Sequence, residues 1–113
     1  MRKNWDSAEC FRKEAEKGDA RAQYYMGMWS LEVDKDFQTA CDWFIKSVEQ
    51  GHAGSQFELG QCSFMAWGAS NGNNDTYMRA AKKLWQDAAK QGHWGAEQKL
   101  ITIARVRDGR RDD

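Results

Sequence analysis

Residues 49–60 read EQGHAGSQFELG and residues 90–101 read KQGHWGAEQKLI, so Gln-Gly-His-x-Gly is written twice, with His52 and His93 41 residues apart. Aligning on the first glycine of the motif brings in a third copy at Gly18, and spacings of 33 and 41 residues lie in the range of helical repeat arrays. Seven residues before the three glycines stand Phe11, Phe44 and Trp85; three before stand Ala15, Val48 and Ala89; eleven before stand Ser7, Ala40 and Ala81. Steps of four mark one face of a helix that ends at the glycine, whose backbone tolerates the left-handed conformation of a C-cap. Four residues after each glycine come Ala22, Ser55 and Ala96, and eight after come Met26, Leu59 and Leu100, so a second helix begins almost at once.

The order helix, glycine, helix, turn is repeated three times. It predicts helices over 4–17, 19–31, 36–50, 53–66, 76–91 and 93–106, neighbours lying antiparallel because their connections are short. Gly27 and Gly60 fall inside helices, where each costs about 1 kcal/mol relative to alanine, so the close passage of another helix is expected at both. Ile101 takes the corresponding place in the last unit, which predicts the end of the stack. Proline is absent, Ala, Glu, Lys, Gln and Met are abundant, and strand-like alternation is lacking, all favouring an all-α chain.

At 113 residues, one repeat domain over 1–106 with a charged C-terminal tail over 107–113 is expected. Seventeen basic residues balance seventeen acidic ones, which gives no bulk field to recruit nucleic acid or anionic membrane. The opening Met-Arg-Lys-Asn-Trp-Asp-Ser passes into a charged helical pattern with no apolar leader. Cys10, Cys41 and Cys62 are odd in number and without CxxC spacing, so they read as reduced thiols of a cytoplasmic protein.

The stretches Ala22-Gln23-Tyr24-Tyr25-Met26-Gly27, Lys35 to Ala40, Trp43 to Gly51, Ser55 to Gly60 and Ala81 to Gly92 resemble the Sel-one-like repeat, a cousin of the tetratricopeptide repeat, from about Ser7 to Ala104. The resemblance implies an αα-hairpin repeat solenoid, a right-handed superhelix of about six antiparallel helices in three repeat units. Its concave face is lined by the first helix of each pair, serves protein–protein contacts and usually lacks catalysis. The turn Glu32-Val33-Asp34 departs from the family's glycine-rich turn, the next turn is longer, and the chain opens on a second-type helix and closes on a first-type one.

With Gly27 and Gly60 as fixed points, the tetratricopeptide register places Arg21, Tyr24, Met28 and Leu31 on the concave face. Phe57, Gln61 and Phe64 follow in the second unit, and Gln98, Thr102 and Arg105 in the third. A groove with an aromatic and methionine centre and cationic ends suits a peptide or a protein protrusion. A core role for Tyr24 and Phe57 is the alternative, because a shift of one residue changes the face. Trp43 and Trp85 belong to the core pattern, and Trp5 is placed to staple the first helix. Trp67 and Trp94 fit repeat packing less well and are candidates for partner contact. Gly68 to Asp75 reads as an inserted loop, whose Asn73, Asn74 and Asp75 lack the spaced acids of a calcium site.

The histidines read as part of the repeat. No HExxH, P-loop, GxSxG or GxGxxG motif occurs, so neither a catalytic residue, a metal nor a cofactor is expected. The expected function is a non-enzymatic binding module for another protein. Small free-standing members of the resembling family include proteins that neutralise toxins, which suggests immunity or inhibition. The alternative is a scaffold that pairs into a homodimer through an uncovered Leu100, Ile103 and Val106 surface. Neither nucleic acid nor membrane is expected as a partner.

Overall fold

The structure, a computed structural model, describes the backbone of residues 2–112 and the side chains of residues 9–105. Among the described residues there are helices and turns only: α1 (Arg2–Glu16), α2 (Ala20–Glu32), α3 (Phe37–Val48), α4 (Ala53–Ala69), α5 (Asp75–Lys90) and α6 (Trp94–Asp112). The class is all-α, a helical repeat of the solenoid kind. The backbone gathers into two compact units, one ending at Ser55 and the other beginning at Gln56.

The three motif glycines all adopt the left-handed backbone expected of them, with φ of 106° at Gly18, 80° at Gly51 and 85° at Gly92. Each turn carries the same pair of bonds. Gly18, Gly51 and Gly92 donate their N–H to the carbonyls of Ala15, Val48 and Ala89. The next residues, Asp19, His52 and His93, donate to Glu14, Ser47 and Ala88 five positions back, at 3.1, 3.4 and 3.1 Å. Such a turn satisfies the last carbonyls of one helix and delivers the chain to the start of the next within two residues.

In the first unit Ala15, Ala22 and Met26 form a buried cluster, with Trp43 packed against it. Trp43 itself is half-buried and carries the Lys46 ammonium 4.9 Å from its ring centre. In the second unit Ala81, Trp85, Ala88 and Ala96 are fully buried, and Phe57, Phe64, Ala89, Leu100 and Ile103 pack onto them. The sequence-based register is off by one position at the ends of α3 and α5. Ser47 and Ala88 are the fully buried residues there, while Val48 and Ala89 are half-buried. In α1 the expected Ala15 is buried.

The internal glycines do have a packing reason, and its agent is an aromatic ring rather than a passing backbone. A Cβ on Gly27 would overlap the Phe44 ring, reaching within 2.7 Å of Cδ1; one on Gly60 would come 2.5 Å from Nε1 of Trp85. Phe44 and Trp85 are both wholly buried, whereas the equivalent Phe11 is 39% exposed. Ile101, in the place of those glycines, is half exposed.

Two further expectations are corrected. The insertion at Gly68 to Asp75 contracts to residues 70–74, because α4 continues to Ala69 and α5 starts at Asp75. Left-handed Asn71 and Gly72 close the loop, Gly72 donating to the Trp67 carbonyl, and Asn74 caps α5 by accepting the Thr76 amide. The surface of α6 expected to be uncovered is partly occupied, since Leu100 and Ile103 lean on the Trp85 cluster. The side chains of Val106, Trp5 and Ser7 lie outside the described residues. Helix α6 also runs beyond its expected end at 106, with no proline to stop it.

Candidate protein-binding surface

The histidines are the natural starting point. His52 and His93 each stand at a helix N-terminus, where the first amides have no intrahelical partner. Nδ1 of His52 accepts the Ser55 amide and Nδ1 of His93 accepts the Ala96 amide, both at 3.2 Å. In the first hairpin Asp19 does the same for the Ala22 amide at 2.8 Å. A backbone N–H can only donate, so each Nδ1 must hold its lone pair and the proton resides on Nε2. The rings also lie against an aromatic of the helix before their own hairpin, His52 tilted 38° against Tyr24 of α2 at 5.0 Å and His93 stacked on Phe57 of α4 at 4.7 Å. Gly54 and Gly95 complete the motif, because a Cβ there would press on both rings at about 3.1 to 3.2 Å.

The glutamine of the motif is structural as well. The Gln50 side-chain amide donates to the Gly18 carbonyl and to Oε1 of buried Gln23, and Gln91 donates to Oε1 of buried Gln56. The shared offsets of these glutamines from the turn glycines were visible in the alignment, although their pairing was not anticipated.

Tyr24 and Phe57 are therefore half-buried members of inter-helix packing, each with only part of its ring toward solvent. Tyr24 also lies 6.2 Å from Phe44 and 5.6 Å from Tyr25. Phe64 is half-buried between Trp85 and Trp67, 5.7 Å from each. Trp67 is held by that stack and by Gly72, so its position closes the α4–α5 loop. Met28, Leu31, Gln61 and Gln98 are half-buried, and Thr102 and Arg105 are exposed. Arg21 is exposed and donates to the Tyr25 hydroxyl at 3.3 Å, a bond that raises the guanidinium pKa above its ordinary value.

Trp94 differs from all of these. It opens α6 with 71% of its surface in solvent. Gln98, Ile101 and Arg105 follow at steps of four, three and four on the same side of the helix. Burying an exposed tryptophan yields large apolar contact area for little rotamer entropy, which makes it a natural anchor. Among the described residues no group of three or more His, Cys, Asp or Glu side chains is placed to hold a metal ion, and no helix is long and apolar enough to cross a membrane.

No protein-family model matches the chain, and no curated protein matches it either. Among solved structures it is similar to the crystal structure of a protective antigen present in uropathogenic Escherichia coli strains, which displays an SLR fold. The match has a TM-score of 0.70 and 27% identity, and covers 86% of this chain and 21% of that one. The chain thus spans about a fifth of the antigen's length.

Proposed function

We propose that this chain, a relative of the Sel-one-like repeat proteins, is a non-enzymatic module that binds another protein. Its helical repeat fold and that relationship support a protein-interaction role as the general class. The observation that carries the finer reading is the exposure of Trp94 at the head of α6. It is followed along that helix by Gln98, Ile101 and Arg105. The exposed portions of Arg21, Tyr24 and Met28 on α2, and of Phe57, Gln61 and Phe64 on α4, are the further contacts of this reading. Within this class we favour a cytoplasmic inhibitor of a toxin or effector, on the associational ground that small free-standing relatives include such proteins.

Affinity capture from the native cell, with wild type and Trp94→Ala as paired baits, tests the proposal. A protein retained by wild type and lost with the variant, both baits folded by circular dichroism, supports it. A capture profile unchanged by Trp94→Ala removes the α6 surface from the reading. A captured toxin whose activity is unaffected by the bound chain ends the inhibitor reading while leaving the binding module.

A further inference from the structure

A further turn of the same kind closes α4, and it is built from different residues. The turns after α1, α3 and α5 place glycine in the left-handed position; here Asn71 takes it, with φ of 57°. Its N–H donates to the Gly68 carbonyl, and the next residue, Gly72, donates to the Trp67 carbonyl five positions back, both at 3.0 Å. Asparagine is among the few residues with a side chain that accept this backbone. Gly72 is less replaceable, because its own φ is 72° and a Cβ on it would come 3.2 Å from Cζ2 of the Trp67 ring. The turn thus sets an exposed asparagine directly before a glycine.

That order carries a chemistry of its own. The Cγ of an asparagine side-chain amide can be attacked by the main-chain nitrogen of the following residue, once this nitrogen has given its proton to water or hydroxide. The new Cγ–N bond closes a five-membered imide, and the side-chain nitrogen leaves as ammonia after taking a proton from solvent. Water then opens the imide. Opening at Cγ gives aspartate; opening at the main-chain carbonyl gives isoaspartate, whose main chain runs on through Cβ and Cγ and is one atom longer. In sum a water is taken up and an ammonia released, with neither oxidant nor reductant. A side chain on the following residue hinders its nitrogen, so glycine makes the fastest pair. Asn73 precedes Asn74, and Asn74 precedes Asp75, both of which carry such side chains.

In the closed turn the attack is held back. The Gly72 proton is engaged by the Trp67 carbonyl and withheld from a base, and the Trp67 ring lies beside the Gly72 α-carbon. That ring is itself kept in place by Phe64, 5.7 Å away. Opening the cap frees the nitrogen while the helices stay folded, and local openings of this kind need far less free energy than global unfolding. We propose that Asn71 is a self-modification site, converting to aspartate and isoaspartate at a rate set by the opening of the α4 cap. The lengthened main chain of isoaspartate no longer sets the Gly72 N–H against the Trp67 carbonyl. Conversion therefore unlatches Trp67 from the loop and runs one way.

The test incubates the full chain at mildly alkaline pH, folded and in urea, and follows Asn71, Asn73 and Asn74 by peptide mapping with mass spectrometry, the isoaspartyl form being separated chromatographically. In urea Asn71 is expected to convert first. In the folded chain it should convert at least about tenfold more slowly, as for an amide released only by local opening. Trp67→Ala, which removes the ring beside Gly72, should raise the folded-state rate several-fold. Magnetic resonance of the isotope-labelled wild type adds two readings: a Gly72 amide protected from hydrogen exchange, and a Trp67 indole signal that moves in the isoaspartyl fraction. The proposal is overturned if Asn71 in urea is no faster than Asn73 and Asn74, if folded and unfolded rates agree, or if the folded chain never converts. A folded Trp67→Ala chain that converts at the wild-type rate, or an indole signal unmoved by conversion, overturns it too. So does a Gly72 amide that exchanges as in an unfolded chain, a reading that needs no variant and decides the matter should Trp67→Ala fail to fold.

Discussion

His93 lies nearly flat on Phe57, with planes 21° apart and centres 4.7 Å apart, while its Nδ1 takes the amide proton of Ala96. One side chain thereby caps α6 and fastens it to α4. Replacing His93 by alanine loses both roles and should cost about 1–2 kcal/mol, in the upper range for N-cap removal. His93→Asn keeps an acceptor without the ring and should fall between alanine and wild type. Urea unfolding of the three proteins measures the order, and a His93→Asn variant as unstable as His93→Ala would show that the cap contributes nothing.

Two helical glycines should respond oppositely to the same substitution. At Gly60 the new methyl collides with buried Trp85, so Gly60→Ala should destabilise by about 1–3 kcal/mol despite alanine's better helix propensity. At Gly68 nothing stands within 4 Å, so Gly68→Ala should stabilise by up to about 1 kcal/mol. Thermal melts of both variants check the signs.

The buried hydroxyl of Ser55 donates to Ser47, which donates in turn to the Ala20 carbonyl, both at 2.7 Å. In the second unit the equivalent positions are Ala88 and Ala96, also fully buried. Ser47→Ala alone breaks the relay and should cost about 1–3 kcal/mol through unsatisfied polar groups. Adding Ser55→Ala should cost much less than its own single effect, since the pair then matches the apolar solution already used in the second unit. A double-mutant cycle by denaturant unfolding reads the coupling.

Asp36 caps α3, taking the Thr39 hydroxyl at 2.8 Å and the Thr39 amide at 3.1 Å. The hydroxyl bond first, then the amide bond, lowers its pKa below the ordinary 3.8. A carboxylate depressed on folding adds stability above its unfolded pKa and loses it as pH falls through the folded value. The contribution should therefore be intact near neutrality and disappear in the acid range below pH 3.8. Carbon NMR titration of the carboxyl measures it, and Thr39→Val should move the midpoint upward.

The candidate surface was only partly legible in the chain. Trp94 stood out because it follows the second motif histidine where the other hairpins carry Ala20 and Ala53, and an element that breaks a repeat at one position draws attention to it. Trp67 drew the same attention, yet its ring is held against Phe64 and Gly72 in closing a loop. Nothing in its neighbours along the chain distinguishes those two outcomes. Tyr24 and Phe57 showed themselves as half packing and half surface, because His52 packs at a tilt against Tyr24 of α2 and His93 stacks on Phe57 of α4.

What the sequence determined by itself was the period, the helices and the turn glycines. These rest on local physics, namely the spacing of a helix face and the left-handed backbone that glycine adopts without strain. Tertiary structure alone decided that Ser47 and Ala88, not Val48 and Ala89, take the fully buried places, and that an aromatic ring fills the gap left by Gly27 and by Gly60. Adjacent positions lie about 100° apart round a helix, and the repeat alignment sets the period without saying which of the two lies at the centre of the buried stripe. Only the rings and backbone brought against them from residues far along the chain determine which of the two is enclosed.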